Sequence, residues 1–264
     1  MTLYINFLGK TIHPYGICCI LGIAISIVIA FVLANKKGFE FFDFTLVIII
    51  TLLSALIGSK ILFLIVSWES VCTIFQTYAL GDAILSIMQG GFVFYGGLIG
   101  GIIGFIITLK VKKANFFDYA NIFTLVLPLG HAFGRMGCFF AGCCYGVEYS
   151  GVFSYTYSSA LDVSTPLGVP LFPVQLIESI LLFVLFALAL LVYFLPKYRD
   201  NVCYVYLIGY SVLRFVLEFF RGDLERGLLF NLSTSQWVSI IIFLITMTYL
   251  FISKIKNKMK KAIK

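Results

Sequence analysis

The chain has 264 residues, 61% hydrophobic and only 12% charged, where ordinary soluble domains carry about 25% charged residues. That balance, with 28 phenylalanines, excludes a water-soluble globular domain and assigns the chain to a lipid bilayer. The net charge of +7 invites a nucleic-acid reading, but the way the basic residues are distributed removes it.

Seven apolar runs approach the ~20 residues that a helix needs to cross hydrocarbon, at about 17–35, 43–67, 92–109, 117–134, 174–195, 203–220 and 235–253. The first is not read as a cleaved signal peptide, because Lys36 and Lys37 follow it and no A-x-A site is visible. Most of the 19 basic residues fall just after odd-numbered spans: Lys36 and Lys37, then Lys110, Lys112 and Lys113, then Lys197 and Arg199, then the tail from Lys254 to Lys264. By the positive-inside rule the N-terminus lies outside and the C-terminus is cytoplasmic. The fold class expected is an all-α membrane protein of about seven transmembrane helices. Residues 1–264 read as a single integral membrane domain, with a basic tail over 254–264 facing lipid headgroups.

Two stretches break the helical pattern. Residues 88–101, MQGGFVFYGGLIGG, hold six glycines and predict a turn or re-entrant piece in the third span, which survives at membrane depth only against protein or a watery cavity. The outer segment 135–172 contains Arg135 as its only basic residue, and its Tyr, Ser, Thr and Gly over 145–172 predict a small periplasmic-type cap with strand or turn character.

An ionisable side chain inside a span costs about 2.5–3.5 kcal/mol even on the mildest scale, so each needs a reason. Lys60, Glu178, Arg214 and Glu218 are such residues. The spacing of Arg214, Glu218 and Arg221 puts all three on one face if the helix continues to 221. An Arg214–Glu218 pair can be purely structural. Counting Lys60, Arg135, Arg214 and Arg221 against Glu178 and Glu218, however, leaves a surplus of cation suited to an anion such as a phospholipid phosphate. Arg135 sits among glycines in GHAFGRMGCFFAGCCYG (130–146), read as a tight loop at a helix end where backbone N–H groups approach the same phosphate.

Of seven cysteines, Cys18, Cys19, Cys72 and Cys203 read as small hydrophobes. Cys138, Cys143 and Cys144 admit three readings: packing or a disulfide staple, a thiolate activated by Arg135, or a metal site. No metal is expected, because His131 is the one nearby imidazole and no C-x-x-C pair is present. His131 is either a general base or a satisfied structural group.

The stretch GRMGCFFAGCCYG (134–146) resembles the signature loop of bacterial prolipoprotein diacylglyceryl transferases, G-R-x-G-N-F-x-N-x-E-x-x-G. HPYGI (13–17), YGGLIG (95–100), PVQLIES (173–179) and LRFVLEFFR (213–221) are similar to further motifs of that family, in order along nearly the whole chain. The resemblance implies transfer of the diacylglyceryl group of phosphatidylglycerol to the lipobox cysteine thiol of a preprolipoprotein, with release of glycerol 1-phosphate and without a cofactor, in the bacterial cytoplasmic (inner) membrane. It implies catalytic roles for Arg135, Arg214, Tyr95 and Glu218. Phosphatidylglycerol binding is implied for Arg135, Cys138, Gly146, Glu178, Arg221 and Tyr15, to which the charge count adds Lys60. The chain departs from the family at Tyr95, where a His is usual, at Cys138 and Ala141, where Asn is usual, and at Cys143, where Glu is usual. Proton transfer then falls to Tyr95, to His131, to a cysteine such as Cys143 as base or reactive thiol, or to Glu148, unless the base is dispensable. The rival readings are a transferase with another acceptor, a non-catalytic lipid-binding or transport protein, and a thiol-redox membrane protein.

Overall fold

The computed structural model describes residues 5–7, 10–223 and 228–262. Among them, seven helices are long and apolar enough to cross a membrane, one for each expected span. Two short antiparallel strands, β1 (Ile5–Phe7) and β2 (Lys10–Ile12), precede α1 (Pro14–Lys36). Then follow α2 (Phe41–Val66), α3 (Trp68–Thr77), α4 (Leu80–Gln89), α5 (Phe94–Val111) and α6 (Phe116–Ala141). The cap contains β3 (Tyr155–Thr156) and β4 (Pro170–Leu171), paired antiparallel, and leads into α7 (Val174–Phe194) and α8 (Val202–Leu217). A last hairpin, β5 (Leu228–Leu229) and β6 (Leu232–Ser233), precedes α9 (Thr234–Ala262). The side chains of the basic tail beyond Ile255 lie outside the described residues.

The chain divides into two compact units, residues 31–119 and residues 1–30 with 120–264. In the unit of residues 31–119, α2 and α5 pack along a seam of small residues. A Cβ on Gly96 would meet the carbonyl oxygen of Gly58, one on Gly100 the carbonyl of Ser54, and one on Gly104 the Ser54 hydroxyl. Glycines four apart let two backbones approach closely, which drives helix association where lipid removes the hydrophobic term. The expected turn is therefore confined to Gly90–Val93, with Gly91 at φ +47°, and the later glycines run through an intact helix. Gly100→Val is expected to force α2 and α5 apart and to lower the melting temperature in detergent, an overpacking cost of about 1–3 kcal/mol.

Lys60 belongs to this unit. Its ammonium donates to the carbonyls of Ile87 (2.6 Å), Gly90 and Gly91 (3.1 Å) and lies over the rings of Phe63 and Phe92. It thus satisfies the open carbonyls at the end of α4. At the lysine-rich end, Lys37 pairs with Asp118 (2.7 Å) and Lys112 with Asp43 (2.6 Å).

In the other unit, α7 buries Gln175, Glu178, Ser179, Leu182, Leu185 and Ala189, a helical face that is polar at its first two turns and apolar below. Leu181, Val184, Leu188 and Leu191 on the remaining surface are exposed, as lipid-facing residues are. Ser179 Oγ donates to the Ala132 carbonyl (2.9 Å) and ties α7 to α6.

Candidate functional site

Helix α6 continues through Ala141, so Arg135 and Cys138 lie in its last two turns and not in a loop as the glycine pattern suggested. Gly134 and Gly137 are compatible with helix here, and Gly137 leaves room for Tyr15 at the start of α1, whose atoms an added Cβ would approach to 3.1–3.3 Å. His131, Arg135 and Cys138 follow one another at i, i+4 and i+7 and share a face.

Glu178, 1% exposed, is the hub. Its Oε2 lies 3.0 Å from Arg135 Nε and 3.7 Å from Arg214 Nη1, and its Oε1 lies 3.9 Å from His131 Nε2. Arg214 also reaches Glu218 Oε2 at 2.6 Å and donates to Ser235 Oγ at 3.3 Å. Arg214 Nη1 and Arg135 Nε are buried without a hydrogen-bond partner. Tyr210 closes the group, accepting a hydrogen bond from Arg135 and meeting the His131 ring edge-on at 5.2 Å.

Arg221 does not continue the face of Arg214 and Glu218. Helix α8 ends at Leu217, a tighter turn spans Glu218–Phe220, and Arg221 is extended (φ −87°, ψ 136°), bridged to Gly146. Val147 N donates to Phe220 O and Gly222 N to Tyr145 O, both at 3.0 Å. A Cβ on Gly146 would collide with the Phe172 carbonyl and come within 2.9 Å of the Phe220 carbonyl, so only glycine fits this crossing. The Arg221 guanidinium is gripped at both ends by Asp223, at 2.9 and 2.7 Å. The sequence count omitted Asp223 and included Lys60. Within the unit of residues 1–30 and 120–264, Arg135, Arg214 and Arg221 are matched by Glu178, Glu218 and Asp223 in a balanced ionic network.

Past Ala141 the chain turns through Gly142 (φ +79°) and Cys144 (φ +57°). The turn is clamped: Thr165 Oγ1 donates to Gly142 O (2.7 Å) and Gln175 Nε2 to Cys143 O (2.8 Å). Sequence reasoning gave Gln175, Asp223 and Tyr210 no role; Gln175 and Asp223 lay inside or beside quoted motifs, and a buried polar residue on an apolar helix was the available signal. The turn gathers Cys138, Cys143 and Cys144, whose sulfurs all lie within 4.8 Å of one another. All three are free thiols of intermediate exposure, and no staple is formed. Hydrogen bonds from Cys138 and Cys143 hold the Cys144 thiol well below a cysteine's usual range; burial opposes them, while Arg221 and Arg135 add to them. Cys143, hydrogen-bonded to both other thiols and partly buried, is pushed up.

Tyr95 belongs to the unit of residues 31–119, in the first turn of α5, where it packs edge-to-face on Phe94. Lys60 lies in that unit too, whereas Arg135, Glu178, Arg214, Glu218, His131, Tyr15, Cys138, Cys143, Gly146 and Arg221 all belong to the other unit, where the contacts above were described.

The family model described as prolipoprotein diacylglyceryl transferase matches residues 3–252. The chain is 34% identical over 250 residues to phosphatidylglycerol–prolipoprotein diacylglyceryl transferase 2 of Clostridium perfringens, covering 95% of this chain and 94% of that one. It is 33% identical over 241 residues to the phosphatidylglycerol–prolipoprotein diacylglyceryl transferase of Clostridium tetani, covering 90% and 91%. Against the protein of the same name from Clostridioides difficile it is 32% identical over 216 residues, 81% of each chain.

Proposed function

The chain belongs to the prolipoprotein diacylglyceryl transferase family, and on that premise we propose that Arg135 and Arg214 are the phosphate-handling cations of its reaction. It is a multi-pass membrane transferase of lipoprotein maturation. The reaction moves the diacylglyceryl group of phosphatidylglycerol to the thiol of a lipobox cysteine in a preprolipoprotein signal peptide and releases glycerol 1-phosphate. The whole chain acts as one transferase domain, as the span of the family match supports. Its membrane is the bacterial cytoplasmic membrane, with the arginine end facing outward, as the lysines at the opposite helix ends support.

The observation that carries this reading is the convergence of two buried guanidinium groups on one carboxylate oxygen, with Arg214 Nη1 lacking a hydrogen-bond partner. Displacement of phosphate from a glycerol carbon builds negative charge on the leaving oxygens. Donors already fixed in a dry site stabilise that charge without reorganising at the moment of reaction. Glu178 and Glu218 hold the two arginines in position, and Tyr210 fixes the outer end of Arg135. Gly146 and the Arg221–Asp223 pair brace the loop that crosses behind them. The nucleophile is the acceptor's own thiol. Its proton has to be removed for it to attack, and at the position of Cys143, where the family motif carries a carboxylate, this chain offers a thiol beside Arg135.

Purified protein incubated with labelled phosphatidylglycerol and a synthetic lipobox peptide is expected to lipidate the peptide and release glycerol 1-phosphate in equal amounts. Release with no peptide lipidation would move the acceptor elsewhere. Lipid binding with no release would leave only a lipid-binding protein.

A further inference from the structure

The reaction must remove the proton of the acceptor thiol, yet at the signature turn this chain carries sulfur where its family carries a carboxylate. The three sulfurs are brought together by backbone, not by chance packing. Cys138 is set by the last turn of α6, and Cys143 and Cys144 by a turn held from two sides by Thr165 and Gln175. Cys144 occupies the left-handed region, which costs a non-glycine residue roughly 1 kcal/mol and persists only where the surroundings impose it. The sequence spacing, with four residues between Cys138 and Cys143, hid this arrangement because it lacks a C-x-x-C pair.

We propose that Cys138, Cys143 and Cys144 bind a zinc-class divalent ion with its fourth position open, and that the acceptor thiol takes that position. Three sulfurs on a tetrahedral ion at about 2.3 Å stand about 3.8 Å apart. The observed spread, within 4.8 Å, needs to contract by about 1 Å or less. All three thiols are partly exposed, so an ion reaches them. Three thiolates and a divalent ion carry one net negative charge, and Arg135 and Arg221 both interact electrostatically with this cluster, which offsets it. Three protein ligands with an open position is the arrangement of a catalytic zinc, not a structural one.

Coordination displaces the acceptor thiol's proton to water. The metal-bound sulfur then forms its bond to the glycerol carbon as the carbon–oxygen bond breaks, and the electron pair leaves with glycerol 1-phosphate. This step rests on the transferase reading, whereas the ion site itself does not.

The test is on the purified full chain in detergent, reduced and stripped of metal. Titration with cadmium is expected to give thiolate-to-metal absorption that saturates at one ion per chain. Zinc is expected to protect Cys138, Cys143 and Cys144, but not Cys72, from maleimide labelling, read by peptide mass. The double variant Cys143→Ser/Cys144→Ser is expected to lose the absorption. Because the protection assay needs no variant, misfolding of that variant does not decide the matter. Unprotected thiols, or a disulfide among the three in the isolated protein, would overturn the site. Stripping the ion is expected to lower peptide lipidation about 100-fold, a general-base-sized effect, with recovery on adding zinc. Full turnover by the stripped protein would overturn the activating role. An ion bound at the cluster with no turnover under any condition would instead count against the transferase reading and leave the site standing.

Discussion

Arg214→Ala is expected to lower the transfer rate by about 100- to 1000-fold, the loss that follows removal of one fixed donor from a developing anion. Arg214 is the cation with the most at stake. It lies between Glu178 (3.7 Å) and Glu218 (2.6 Å), is 7% exposed, and holds one Nη without a hydrogen-bond partner. Arg214→Lys restores only part of the rate, because an ammonium keeps the charge but not the planar pair of donors that matches two phosphate oxygens. Initial rates with labelled phosphatidylglycerol and lipobox peptide measure the effect. Melting curves on the same samples separate it from unfolding, since the substitution also strips Glu218 of a partner. A variant that keeps its rate within tenfold, at normal stability, would remove Arg214 from the chemistry.

The seven spans were legible because hydrocarbon thickness imposes a length and a composition that few other structures share. Glu178, Arg214 and Glu218 were legible for the complementary reason: a charge at membrane depth is too costly to be incidental. What was hidden depends on where backbone goes after a helix ends. The i, i+4, i+7 spacing promised a common face for Arg214, Glu218 and Arg221. The tightened turn at Glu218–Phe220 instead delivers Arg221 to a backbone crossing at Gly146 and to Asp223. A charge count made along the sequence left out Asp223 and so missed that each of the three arginines has a carboxylate partner. Likewise the glycines after Tyr95 signal a break in soluble helices but serve here as a packing seam, since in lipid a close backbone approach replaces the hydrophobic drive. Lys60 was read as a free cation because nothing in its own segment announces three carbonyls from the end of α4.

Glu178→Ala is expected to be the most destabilising substitution in the site, by about 3–5 kcal/mol, because it leaves buried guanidinium charge uncompensated. Glu178 is 1% exposed and touches Arg135, Arg214 and His131 at once, so no water replaces what it gives. Glu178→Gln keeps the shape and one acceptor and is expected to lose less. The decisive comparison is the double variant Arg135→Met/Glu178→Met, measured beside each single variant by denaturation midpoint in detergent and by transfer rate. Arg214 keeps Glu218 in that background, and a buried ion pair replaced by apolar side chains of similar volume is often neutral for stability. Stability is therefore expected to recover toward the parent while the transfer rate stays low, since the cation that meets the phosphate has gone with its partner. Recovery of both would reduce the Arg135–Glu178 pair to a structural strut. Recovery of neither would mean that the pair's geometry, and not its charge balance, holds α6 against α7.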